Sequence, residues 1–241
     1  FQQRSGVDRA QAARVGELAA RLFVSADLAA ADEIDTDLQH LRWAADLHEV
    51  GLSIAHASYH KHSAYIVANA DMPGFSKKEQ ADLATLVLGH AGKLPKLKVV
   101  LEGKTQSRHE WARIACLRIA ALLFRRRVDV DLPPATLTVD GNTFTLDFAS
   151  DWLETHPLTA YSLEQEINEW AKVGFHLRVR TQADKGPSVL PMRDIKERLE
   201  DNGLLTLALA SQAIEPLLAR GDPLLQLQVS QAAGLQGGLF L

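Results

Sequence analysis

The stretch LRWAADLHEVGLSIAHASYHKHSAYIVANADMPGFSKKEQADLATLVLGH, residues 41–90, decides how this chain is read. Apolar residues recur at three- and four-residue spacing over residues 37–50, which predicts an amphipathic helix capped by Thr36 or Asp37 and ended by Gly51. A second helix is predicted over residues 59–70, where Pro73 and Gly74 of DMPGF stop it. Ser76 followed three residues later by Glu79 is a capping box, opening a third helix that runs through Leu83, Leu86 and Val87 to His90.

Outward from this core, VDRAQAARVGELAARLF at residues 7–23 reads as a further amphipathic helix, and residues 107–126 as a long one. The texture then changes. DLPPATLTVDGNTFTLDF holds two alternating runs around Asp140-Gly141, a hairpin signal. A helix predicted over residues 162–172 and the alternating GFHLRVR complete a strand, strand, helix, strand order. The expected fold class is mainly α: a helical domain at residues 1–130, then a small α/β domain at 131–180. Residues 181–241, with two short amphipathic segments after a linker-like TQADKGPSVLP, read as a helical extension of unassigned role.

Composition excludes disorder and fibrous architectures, since 46% of the 241 residues are hydrophobic and 23% charged. A single cysteine, Cys116, permits no intramolecular disulfide and no CxxC knuckle, so a cytoplasmic setting is expected. No run of about twenty apolar residues predicts a membrane span. The start, FQQRSGVDRAQ, has neither an initiator Met nor a signal-peptide core, and the chain is expected to begin inside a longer protein.

Charge is uneven. Residues 1–92 carry 8 Lys and Arg against 12 Asp and Glu; residues 93–127 carry 10 against 2; residues 128–180 carry 3 against 9. Clustered cations raise the local potential even on an acidic molecule, so the middle segment is the expected footprint of an anionic partner, unless its charges are solvated faces of unrelated helices. Nucleic acid is the disfavoured partner, because only Trp111 and Phe124 interleave with the charges as stacking platforms.

The histidines admit more than one reading. His48, Glu49 and His90 lie at helix ends, where packing could bring them together as metal ligands; a divalent ion needs three or more such groups. His48 could equally be a buried histidine bonded to a carbonyl or to a neighbouring carboxylate. His60 and His62, about 200° apart on a helix, cannot both face one ion. With Lys61 they mark a helix start, where backbone N–H groups attract phosphate.

The order of helix, HExG, HxHSAYI, the turn DMPGF and a second His-bearing helix resembles the C-terminal half of the exopolyphosphatase / guanosine pentaphosphate phosphatase (Ppx/GppA) family. The resemblance covers roughly residues 1–180, with LRIAALLFRRR similar to the family's later arginine-bearing helix. It implies an HD-like helical domain followed by a small α/β domain. HD-type phosphohydrolases use a His-Asp pair, further histidines and a last Asp; here the pair is His48-Glu49, and Ala121 stands near the place of the last Asp. The resemblance therefore implies a degenerate site, metal-free in this chain.

It also implies hydrolysis by an N-terminal pair of actin-like domains holding Mg2+, whose Gly-rich loops are absent from these residues, together with homodimerisation and a polyphosphate channel. No catalytic residue and no cofactor is expected in this chain itself. A linear polyanion needs distributed cations. The expected polyphosphate contacts are Lys93, Lys96 and Lys98 on a loop, Arg118, Arg125, Arg126 and Arg127 on a helix, and His60, Lys61 and His62 at a helix start. The alternative is a free-standing HD-type phosphohydrolase acting on a nucleotide, with a metal on His48, Glu49 and His90 whose bound water is the nucleophile.

Overall fold

The computed structural model describes residues 7–28, 33–101, 108–128 and 130–181. The two amphipathic segments expected after residue 181 lie outside these. Among the described residues the fold is mainly α with a small three-stranded sheet, in the order α1 (Arg9–Ala26), α2 (Ile34–Leu47), α3 (Tyr59–Asn69), α4 (Lys77–Gly89), α5 (Leu94–Leu101), α6 (Arg108–Leu123), β1 (Ala135–Asp140), β2 (Thr143–Phe148), α7 (Pro157–Ala171) and β3 (His176–Arg180).

Asp8 caps α1, its carboxylate accepting from the Gln11 N–H at 3.0 Å. Val15, Leu18, Leu22 and Phe23 form the buried stripe of α1, and Gly16 lets α2 approach closely: a Cβ there would lie 3.3 Å from that of Ala45. The core helix α6 is buried on nearly every side, with Trp111, Ile114, Leu117 and Ile119 all inside. Two buried glutamines supply caps that no local sequence could. Gln11 donates to the Phe124 carbonyl past the end of α6 at 2.8 Å, and Gln80 donates to the Val67 and Ala70 carbonyls at the end of α3, at 2.8 and 2.7 Å. Each satisfies last-turn carbonyls that would otherwise be buried without a donor.

Strands β1 and β2 form the expected hairpin, paired from Ala135 with Phe148 to Asp140 with Thr143, and Gly141 takes the left-handed conformation (φ 55°) at its turn. β3 runs parallel to β2 after the α7 crossover, giving the order β1-β2-β3. The free edge of β1 is covered by α1: Ser25 Oγ accepts from the Leu137 N–H at 2.8 Å and lies 3.2 Å from its carbonyl. Trp170 on α7 packs edge-on to Trp111 of α6 at 5.8 Å and to Phe144 of β2 at 5.1 Å, so helices and sheet share one aromatic core.

Four sequence expectations shift. α2 starts at Ile34, ahead of Thr36 and Asp37, because Asp37 is drawn into the core as an ion-pair partner rather than left to cap. The helix expected over residues 107–126 ends at Leu123, and the three arginines follow as a turn in which Arg127 is left-handed (φ 55°). α7 begins at Pro157, five residues early, since proline is well suited to the first turn. Lys96 and Lys98 stand on a helix, α5, rather than on a loop; Leu94, Leu97 and Leu101 anchor it, with Pro95 at its second position.

Candidate functional site

The site is assembled where the ends of α2 and α4 meet the start of α3. At Leu47 the α2 helix stops, and His48 Nδ1–H donates back to the Ala45 carbonyl at 2.5 Å. The chain then turns through a 3-10 segment, Val50–Ser53, packed hard against α3. Gly51 makes this possible, since a Cβ there would lie 2.3 Å from the Tyr59 carbonyl oxygen and 2.4 Å from Ser63 N. Ser63, fully buried, closes the join: its hydroxyl donates to the His48 carbonyl at 2.7 Å and accepts from the Gly51 N–H at 2.9 Å. The HExG and HSAY segments of the sequence are thus two halves of one packed junction.

His90 repeats the solution of His48 at the end of α4. Its Nδ1–H donates to the Val87 carbonyl at 2.5 Å, and its Nε2 accepts from the Tyr59 hydroxyl at 3.0 Å. A carbonyl can only accept, so both rings carry the proton on Nδ1. The rings of His48 and His90 stand edge to face with centroids 5.0 Å apart, and His60 joins them 6.4 Å from His90. Gly92 leaves room for His60, whose Nε2 would lie 2.4 Å from any Cβ at that position.

Burial keeps this cluster uncharged. It pushes the His48 imidazolium down to about 4, with Arg127 adding to the effect. His60 also falls to about 4, through burial and then the charges of Lys61, Arg118 and His62. His90 is held well below the ordinary imidazole value, by burial first and His48 second. The Tyr59 hydroxyl is pushed up to about 12 by burial, with Glu49 adding. At neutral pH these three imidazoles are neutral, and the cationic character of the region comes from Lys and Arg.

His48, Glu49, His60 and His90 do come together, yet among the described residues no group of three or more His, Cys, Asp or Glu is arranged to hold a metal ion. The His90 lone pair is taken by Tyr59, Glu49 turns its carboxylate to Arg127 Nη2 at 2.7 Å, and Ala121, half-buried on α6, brings no ligand atom. His48 makes the carbonyl bond that one of its two sequence readings anticipated.

The expected anion contacts separate into two sets. Lys61, Lys93, Lys96, Lys98, Arg125 and Arg126 are exposed, His62 is half-buried, and Arg127 is exposed but paired with Glu49. Arg118, grouped from the sequence with the surface arginines, is buried at 4% exposure. Its guanidinium is filled by the protein: Nε and Nη2 donate to Glu166 at 2.5 and 2.7 Å, Nη2 to the Gly92 carbonyl at 2.7 Å and Nη1 to that of Gly89 at 3.3 Å. Glu169 of α7 accepts from the Leu94 N–H at 3.2 Å. Two carboxylates of α7 therefore hold the segment carrying Lys93 and the start of α5.

Sequence reasoning missed a second polar cluster. Asp37, 5% exposed, accepts from His109 Nε2 at 2.7 Å and lies 3.3 Å from Arg113 Nε, while Arg113 Nη2 donates to His40 Nδ1 at 3.1 Å. The available signal was the spacing of Asp37 and His40 at i, i+3 and of His109 and Arg113 at i, i+4, which puts each pair on one helix face. Glu166 and Glu169 carried no local signal.

No described helix is long and apolar enough to cross a membrane. Residues 1–167 match the Ppx/GppA phosphatase family, domain III. The guanosine-5'-triphosphate,3'-diphosphate pyrophosphatase of Pseudoalteromonas translucida (strain TAC 125) is 37% identical over 179 residues, 74% of this chain and 36% of that protein. The protein of the same name from Pseudoalteromonas atlantica (strain T6c / ATCC BAA-1087) is 35% identical over 173 residues, 71% of this chain and 34% of its own length. That of Aeromonas hydrophila subsp. hydrophila is 34% identical over 139 residues, 58% of this chain and 28% of its own. The chain spans about a third of the length of the curated relatives it matches. The matched residues take in every element that joins His48, Glu49, His60 and His90, and the chain belongs to the Ppx/GppA phosphatase family.

Proposed function

We propose that this chain is the polyphosphate-binding and dimerisation region of a family member that releases terminal phosphate from inorganic polyphosphate. Hydrolysis is assigned to actin-like, Mg2+-holding domains outside these residues, and the whole protein to the cytoplasm. The observation that carries the reading is the set of exposed cations Lys61, Lys93, Lys96, Lys98, Arg125 and Arg126, none of which has a carboxylate partner among the described residues. A phosphate chain gains affinity from many such charges at once, because each neutralised phosphate releases counterions. Arginine adds bidentate contact with phosphate oxygens.

The experiment is binding of long-chain polyphosphate to the purified chain at several salt concentrations. Affinity falls steeply with salt, and combined Lys93→Ala, Lys96→Ala and Lys98→Ala substitution weakens it at least about tenfold. Binding that ignores salt and survives the triple substitution overturns the reading. Homodimerisation rests on the family resemblance and is checked by sedimentation equilibrium; a monomer at every concentration removes it.

A second reading is favoured by the names of the three relatives, which act on a guanosine nucleotide bearing a 5'-triphosphate and a 3'-diphosphate. The same cations suit either ligand. Competition separates them: the nucleotide displaces polyphosphate at equal phosphate concentration only if it is the preferred occupant. Among the described residues the metal-dependent alternative has no group of ligands arranged to hold an ion, and a stoichiometric transition metal in protein purified without a His-tag would revive it.

A further inference from the structure

Arg125, Arg126 and Arg127 follow one another past the end of α6, and among the described residues only Arg127 of the three has a carboxylate partner. Its partner is Glu49, a carboxylate on the buried junction between α2 and α3 with 7% exposure. Glu49 Oε1 lies 2.7 Å from Arg127 Nη2 and 3.8 Å from His48 Nε2. Arg127 is held in the left-handed backbone region (φ 55°), unusual for a residue with a side chain, and its N–H donates to the Phe124 carbonyl at 2.9 Å. Its side chain remains 43% exposed, so the guanidinium has one face on Glu49 and another open to solvent.

Glu49 is the acidic group that Arg127 meets in this cationic corner, as Glu166 is for Arg118. The charges of Arg118, Arg125 and Arg127 all act on the neighbouring Tyr59 hydroxyl, and Glu49 opposes them there. A carboxylate and a phosphate group ask the same thing of a guanidinium, two oxygens presented to its N–H donors.

We propose that Glu49 sets the anion affinity of this face: its carboxylate holds Arg127 in the place that a phosphate group of the bound chain would take, and it repels phosphate from the remaining cations. This rests on the polyphosphate-binding reading above. Glu49 is thus an internal counter-anion that limits how tightly, and for how few phosphates, the face binds. A single phosphate cannot displace a buried carboxylate from its arginine, whereas a chain that engages Lys61, Arg125 and Arg126 together can.

The test uses the full 241-residue chain, with tripolyphosphate and long-chain polyphosphate as probes at fixed ionic strength. Glu49→Gln keeps the side-chain shape and removes one negative charge, and it raises affinity for tripolyphosphate about five- to tenfold, with a smaller gain for the long chain. Unchanged or weaker tripolyphosphate binding by a folded Glu49→Gln variant overturns the proposal. A second comparison does not depend on that variant folding. Because Glu49 already neutralises Arg127, Arg127→Gln weakens binding less than Arg126→Gln, and the reverse order overturns the proposal. If the unsubstituted chain binds neither probe, the polyphosphate-binding reading itself falls and takes the proposal with it. If Arg126→Gln weakens binding but Glu49→Gln does not strengthen it, that reading stands and only the role of Glu49 is lost.

Discussion

Arg118 on α6 and Glu166 on α7 meet in a two-bond contact, Nε to Oε2 at 2.5 Å and Nη2 to Oε1 at 2.7 Å, with both side chains nearly withdrawn from solvent. The same guanidinium reaches the Gly89 and Gly92 carbonyls. One residue of the helical part therefore ties the end of α4, the lysine-bearing segment and the α/β part together.

Removing one member of such a pair leaves a buried charge alone, which costs far more than the pair itself contributes. Glu166→Ala is expected to lower unfolding free energy by about 3 kcal/mol. The double substitution Arg118→Met with Glu166→Leu is expected to recover much of that loss. Urea denaturation of the three proteins checks both; equal losses in the single and double variants would mean that packing, not charge, holds the joint.

Gly51 has no room for a side chain, because the atoms it would meet are backbone: the Tyr59 oxygen at 2.3 Å and Ser63 N at 2.4 Å. Gly51→Ala forces the 3-10 segment away from α3 and is expected to cost about 2–3 kcal/mol. Ser63→Ala leaves the His48 carbonyl and the Gly51 N–H unpaired inside the protein, for about 1–3 kcal/mol. Thermal melts of the two variants, each well below the parent, are the expected result.

Local and tertiary caps are expected to differ in cost. Ser76 accepts from the Glu79 N–H at 3.2 Å, while Glu79 accepts from the Ser76 N–H at 2.8 Å, at an exposed site. Ser76→Ala therefore costs about 1 kcal/mol. Gln80→Leu strips donors from two carbonyls, one of them in a buried bond, and is expected to cost more. Chemical denaturation of both variants gives the order, which reverses if solvent reaches the end of α3.

Stability is expected to fall between pH 6.5 and 4. In the unfolded chain His48 takes a proton as pH drops through its ordinary value of 6.5; in the folded chain it stays neutral to about 4. Across that window the unfolded state binds more protons, so acid favours unfolding. At about 1.4 kcal/mol per pKa unit, His48 alone accounts for roughly 3 kcal/mol at the acid end. His60 and His90 shift in the same direction, while Glu49, raised by burial, partly offsets them. Urea midpoints at pH 7, 6 and 5 should decline; a flat profile would mean that water reaches the imidazoles.

Much of the local structure, though not α5 or the start of α7, is legible in the residues themselves. Periodicity placed α1, α3 and α4, the capping box opened α4, and Asp140-Gly141 fixed the hairpin, because each of these is decided by residues within one or two turns of each other. Motif order was enough to point to the family. Tertiary structure alone decided which polar residues face inward. Arg118 and Arg125 look alike along the chain, yet one is consumed by Glu166 forty-eight residues away and the other stays in water. Asp37 reads as a cap and is a buried ion-pair partner of a residue on α6. His48 and His90 can be read along the chain as metal ligands or as buried histidines, and the carbonyls at the ends of their own helices, a tyrosine and burial make them neutral packing groups. A charged or titratable side chain takes its role from the groups that desolvate and neutralise it, and those are set by which helices meet.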